Sequence, residues 1–148
     1  MKKQTLTMIA LMVLVGSLTA SAKAQSLSSG TLVANIPFEF SAGNQTMPAG
    51  EYIVRCVNPA SDQTVLQIAS RDGRNSVMLQ MTSTRGKAAE TAKLVFHRYG
   101  DRYFFAQAWT PGERDGLAAP KSRDERNAAR ELAGIKPQTK SIALTVSR

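Results

Sequence analysis

The sequence predicts a mainly β protein, an antiparallel β-sandwich or small barrel of about seven strands with one late α-helix from about Arg123 to Ala133. Three observations carry this. Several stretches alternate apolar and polar residues with period two, the repeat of a strand with one buried face. Two turn pairs, Asp72-Gly73 and Gly100-Asp101, stand between such stretches and fold them into hairpins. One late segment, opened by Ser122-Arg123-Asp124-Glu125, matches a capping box that opens a helix. At 148 residues, 43% of them hydrophobic, the chain has the size of one domain and enough apolar surface for a core without cross-links.

Residues 1–24 start with Lys2 and Lys3, continue through an apolar run over 6–18 and end at Ala22-Lys23-Ala24. A positive start, a short apolar stretch and small residues before a cleavage point are the parts of a secretory signal. The sequence therefore predicts a signal peptide over 1–24, cut after Ala24 or, as second choice, after Ala22. A single β domain over 25–148 then resides in the periplasm or outside the cell. Gly16, Ser17 and Thr19 interrupt the apolar run, which is shorter than the roughly 20 residues that cross a bilayer, so no stable membrane span is expected after cleavage. Cleavage removes Lys2, Lys3 and Lys23 and no acid, lowering the formal charge from +8 to +5. Export and scattered charge argue against nucleic acid, and leave as partners of a basic surface anionic cell-envelope components, lipid headgroups or acidic polysaccharide, or none in particular.

After a Ser-rich lead-in over 25–30, Leu32, Ala34, Ile36, Phe38 and Phe40 alternate with Val33, Asn35, Pro37 and Glu39, and Pro37 puts part of this strand at an edge or bulge. Residues 41–50 form a turn region closing with Pro48-Ala49-Gly50, and 52–57 a strand stopped by Asn58-Pro59. Through Asp72-Gly73, expected as a type I′ turn, Ile68 faces Val77 and Leu66 faces Leu79, with Gln67 and Gln80 on the wet side. Gly100-Asp101, with Gly first as type II′ requires, sets Phe96 opposite Phe105. Val95, Phe104 and Ala106 make the other face of that hairpin apolar too, so it is expected in the centre, covered on both sides. A Gly- and Pro-rich loop over 109–121 leads to the helix, whose stripe of Ala128, Ala129, Leu132 and Ile135 supplies a cover; Gly134 and Pro137 end it. Residues 141–147 alternate again and form the closing strand. A membrane-spanning barrel fits poorly, because the outward faces are polar, the helix has no place in it and paired aromatic girdles are missing.

The run Val33-Ala34-Asn35-Ile36-Pro37-Phe38-Glu39-Phe40, followed by Met47-Pro48-Ala49-Gly50-Glu51-Tyr52, resembles a family of small uncharacterised exported proteins found in acidobacteria. Lys93-Leu94-Val95-Phe96-His97-Arg98-Tyr99-Gly100-Asp101-Arg102-Tyr103-Phe104 extends the resemblance over most of the mature chain. It implies export and carries over no activity. Pro48-Ala49-Gly50-Glu51-Tyr52-Ile53-Val54 is also similar to the turn and strand of prealbumin-like and Ig-like sandwich modules of secreted proteins, which implies a sandwich and names no ligand.

Candidate chemistry is sparse. His97, the sole imidazole, falls opposite Phe104, no Gly-x-Ser-x-Gly elbow accompanies it, and one His makes a poor metal nucleus. The single Cys excludes an intramolecular disulfide and every Cys-based zinc cluster. Cys56 lies on the side of Tyr52 and Val54 and is expected as a buried structural thiol, with an intermolecular disulfide as the alternative. Glu113, Asp115 and Asp124 lack the ligand spacing of a calcium loop. Six of the nine aromatic residues fall within 96–109, which is expected to be core rather than a row for stacking sugars. Arg123, Arg126 and Arg130, three and four apart, form one cationic stripe and are the candidate anion-binding residues. No catalytic residue, cofactor or metal is expected. The chain reads as a non-enzymatic, extracytoplasmic interaction or accessory module; the alternative is a carrier of small apolar ligands with a cavity between sheet and helix, and a hydrolase comes third.

Overall fold

The computed structural model describes residues 30–58 and 63–146. The signal peptide expected over 1–24 and most of the lead-in lie outside the described residues. Ten strands and one helix follow in the order β1 (Leu32–Ile36), β2 (Phe40–Ala42), β3 (Gln45–Met47), β4 (Gly50–Cys56), β5 (Thr64–Ser70), β6 (Ser76–Arg85), β7 (Lys93–Tyr99), β8 (Arg102–Trp109), β9 (Asp115–Ala118), α1 (Arg123–Glu131) and β10 (Gln138–Val146).

Of the two architectures left open by the sequence, the chain takes the barrel. Eight strands pair antiparallel in the ring β1-β4-β5-β6-β9-β8-β7-β10 and back to β1, and the β2–β3 hairpin joins β8 through one parallel contact at Ser41 and Phe104. Strands β7, β8 and β9 run as consecutive hairpins, and β10 returns beside β7 through the long connection that holds α1, a Greek-key arrangement. Three strands exceed the expected count of about seven because Pro37 breaks the first alternating stretch into β1 and β2, Gly43 at φ 60 turns the loop over 41–50 into a second short strand, and the loop over 109–121 contributes β9.

The barrel interior is filled by side chains rather than hollow. Leu32 and Ile36 from β1, Tyr52 and Val54 from β4, Leu66 and Ile68 from β5, and Leu94 and Phe96 from β7 are fully buried there. The β2–β3 hairpin adds Phe40 and Met47, and the Phe40 ring meets Tyr52 and Phe96 edge-on at 5.3 Å each. The inside is therefore apolar and much of the outside polar, the reverse of the distribution along an aqueous membrane pore. Among the described residues no helix is long and apolar enough to cross a membrane.

Register follows the turns. Ile68 pairs with Val77 and Leu66 with Leu79, as expected, but the turn is not type I′, since Asp72 does not take positive φ. Instead Gly73 N–H donates to Ser70 C=O, and the Asp72 carboxylate accepts from the Ser70 hydroxyl at 2.6 Å and the Arg74 amide at 3.0 Å. Those two bonds, the hydroxyl first, hold the Asp72 carboxyl below its ordinary range. Gly100 at φ 60 and a negative-φ Asp101 agree with the expected type II′ turn, and Phe96 faces Phe105 with their rings 5.8 Å apart. Past that pair the ladder skips Ala106, so Gln107 pairs with Val95 and Ala108 with Leu94. The bulge reverses the alternation, turning Ala108 into the barrel and Trp109 out of it.

Candidate functional site

The outer wall of β7 and β8 is covered as expected. Over one part lies α1, whose Ala128 is buried against Tyr99 and Phe104 with Ala129 and Leu132 packing alongside. Alanine at the contact lets the helix backbone lie close to the strands. Over the other part Trp109 lies on Gly116 of β9 and under Gly86, and its Nε1–H donates to Gln107 Oε1 at 2.9 Å.

Helix α1 begins as its capping signature predicts. The Ser122 side chain accepts from the Glu125 amide at 3.1 Å, and Asp124 and Glu125 occupy the first turn, where the helix dipole favours negative charge. Its regular part ends at Glu131, shorter than the expected Ala133. The Glu125 side chain does not close the box. It turns under the helix, 3% exposed, with Oε1 2.8 Å from His97 Nδ1 and within reach of the Tyr99 hydroxyl at 3.4 Å. Burial, and after it the Glu125 charge, raises the Tyr99 phenol above its ordinary value. This polar clasp was missed by the sequence reading, although its signal was there: Glu125 precedes Ala128 by three and Leu132 by seven, which places it on the buried stripe.

A histidine held at one nitrogen by a carboxylate is oriented as in an acid–base dyad, and Thr139 of β10 stands opposite His97 in register. Three surface clefts of about 340, 380 and 230 Å³ open near Phe38 and Tyr103, near Leu132 and Ile135, and near Tyr52 and Arg71, and His97 lines none of them. What the geometry does is fasten α1 to β7.

The three candidate arginines are brought onto one face. At about 100° per residue, Arg123, Arg126 and Arg130 fall within about 60° of one another, roughly opposite the stripe of Glu125, Ala128 and Leu132. All three are exposed. None pairs with an acid among the described residues; the Arg126 guanidinium donates to Lys121 C=O at 2.7 Å. Other arginines are engaged, Arg85 with Asp115, Arg102 with Glu131 and Arg71 with Glu51.

Cys56 is only half-buried, a correction to the expected buried thiol: it ends β4 opposite Leu66. The aromatic run is core as expected except for Tyr103, which stacks on Phe38 with ring centroids 3.9 Å apart at the end of the barrel. Among the described residues no three His, Cys, Asp or Glu side chains come together as a metal site. Comparison of the chain with protein-family models, with curated proteins and with solved structures found no match.

Proposed function

We propose that this chain is exported and acts without catalysis as an extracytoplasmic interaction module that holds anionic cell-envelope components on the outward face of α1. The observation that carries the proposal is the stripe of Arg123, Arg126 and Arg130, exposed together and unmatched by acids among the described residues. Exposed cations with acid partners are already neutralised and attract little; cations left unmatched on a fixed helix face sum their fields. The rest of the fold serves as a mount. A filled barrel and the clasp of Glu125 on His97 hold the stripe still, and the packed interface under α1 favours a surface-binding role over a carrier.

Replacing Arg123, Arg126 and Arg130 with Gln tests this, since Gln is a comparable helix former and the fold stays intact. The wild-type protein is expected to be retained on heparin at low salt and released as the screening length falls below about 8 Å, whereas the triple variant elutes without retention. Equal retention of both proteins would remove the stripe from the function. Appearance of the protein in the envelope fraction with Gln25 or Lys23 as first residue checks export, and intact Met1 on a cytoplasmic product would refute it.

A further inference from the structure

Beyond its regular turns α1 ends beside a cleft of about 380 Å³ that opens between the segment leading to β10 and the β7–β8 turn. Leu132, Ile135 and Pro137 make its apolar side, and Arg98 and Lys136 also line it. Ala128, whose contact closes the helix on the strands, does not. The opening has a local cause. Gly134, at φ 91, turns the chain out of the helix, and the Ile135 amide donates to Leu132 C=O at 2.9 Å. Pro137 prevents a further helical turn, and Gln138 then enters β10 directly beside Arg98 of β7. Leu132 bounds the cleft toward the turn, since a methyl group built on Gly100 would stand 3.9 Å from its Cδ1. Ile135 is left 66% exposed, more than Met78 and Val57, the other exposed large hydrophobic residues among those described.

An exposed isoleucine by itself is ordinary. Here it shares a cleft with positive charge in excess. Lys136 is exposed and forms no ion pair among the described residues. Arg98 donates through Nε to Gly100 C=O at 2.7 Å, and its guanidinium carbon stands 5.5 Å from the centre of the Tyr103 ring, so its head is held in place. Asp101 is the one acid among the described residues that line the cleft. It lies 4.0 Å from Arg98 Nη2 with its carboxylate fully exposed, a pairing that neutralises little. Apolar walls joined to unmatched cations are complementary to a molecule with an apolar chain and an anionic head. The volume is near the bottom of the range of about 300–1,000 Å³ for small-molecule sites, which suits one short chain rather than the paired chains of a phospholipid. The guanidinium N–H groups not engaged by Gly100 suit a carboxylate.

We infer that this cleft binds a single-chain amphipathic carboxylate, of the class of medium-chain fatty acids, with its head at Lys136 and Arg98 and its chain along Leu132, Ile135 and Pro137. The bound chain covers the isoleucine that the turn at Gly134 leaves in water, and that part of the contact is not screened by salt. The site is separate from the arginine stripe and does not depend on it.

Titration calorimetry of the purified protein with decanoate below its micellar concentration tests this, with acetate as the head alone and decylammonium as the same chain with the opposite charge. Decanoate is expected to bind one to one, acetate not to saturate, and decylammonium to bind more weakly than decanoate. Ile135→Ser should weaken decanoate about tenfold, and Lys136→Glu should make decylammonium the better ligand. Both positions are exposed, so neither change asks the fold to repack. The variant with Arg123, Arg126 and Arg130 replaced by Gln should bind decanoate as the wild type does. No saturable binding of decanoate below about 1 mM, equal binding of decanoate and decylammonium by the wild type, or unchanged decanoate binding in either Ile135→Ser or Lys136→Glu overturns the inference. Loss of decanoate binding with the three arginines also overturns it, by assigning the anion to the stripe. Retention on heparin reads the stripe alone, so the two sites fail separately.

Discussion

Gly116→Ala asks how tightly the outer wall of the barrel is packed. A methyl group built on Gly116 stands 2.7 Å from Cδ2 and Cε3 of Trp109 and 2.9 Å from Cε2. Carbon atoms in ordinary contact are about 3.5–4.0 Å apart, so the indole must retreat by about 1 Å. It has little freedom to do so. Its far edge lies against Gly86, where an added methyl would approach Cη2 to 2.6 Å, and its nitrogen is bonded to Gln107. We expect a cost of about 2–3 kcal/mol, the upper part of the range for overpacking, and for a domain of this size a melting temperature lowered by about 10 °C. Gly50→Ala is the control, because a methyl there meets nothing within 4 Å and Gly50 has no positive φ, so its stability should stay within about 0.5 kcal/mol of wild type or rise. Scanning calorimetry on both variants, and on Gly116→Ala in a Trp109→Leu background, measures the effect and its source. If the indole is the obstacle, the double variant recovers at least about 1 kcal/mol of the penalty. A Gly116→Ala protein that melts with Gly50→Ala, or an unchanged penalty without the indole, would refute the packing described here.

Phe105→Ala, which empties a 3% exposed site against Phe96, should destabilise by about 3–5 kcal/mol in urea unfolding, while Gln80→Ala on the exposed face of β6 stays within about 0.5 kcal/mol; similar small losses at both would mean that the register is wrong. The phenols of Tyr99 and Tyr52 are both raised, by burial first and then by Glu125 and Asp72 respectively. A raised phenol keeps its proton longer in the folded than in the unfolded chain, so its stabilisation is complete below the ordinary value of about 10 and is lost as pH climbs through the folded values. Ultraviolet titration should find Tyr99 and Tyr52 ionising late, and Glu125→Gln should bring Tyr99 part of the way back, since burial remains; these two titrating at the ordinary value would contradict this.

Hairpins were legible because each is written locally. Asp72-Gly73 and Gly100-Asp101 sit at the centres of their pairings, and the side chains facing each other across them follow by counting. The Asp72 turn type was misread because Ser70, just outside the pair, bonds the carboxylate and makes a different turn adequate. Closure into a ring was not legible, since it depends on β9 bridging β6 to β8, a four-residue strand in a stretch whose Gly and Pro read as loop. The facing of Trp109 depended on the bulge at Ala106, which strict alternation does not contain. At the candidate site the arginine stripe was visible from spacing alone. Glu125 was read for its backbone role at the helix start, and its side-chain role needed the position of His97, twenty-eight residues earlier.

The placement of β10 has a consequence for the order of assembly. Among the described residues it is the last strand and the bridge between β1 and β7, so the ring stays open until it arrives. A chain emerging from its N-terminus can form the hairpins of β4, β5 and β6, but β1 and β7 each hold an unsatisfied edge meanwhile, and the apolar interior stays reachable by water. Loss of the residues from Gln138 onward would leave two open edges rather than a slightly smaller barrel. Completion thus waits on β10, and a ring built this way cannot close on the strength of its earlier hairpins alone.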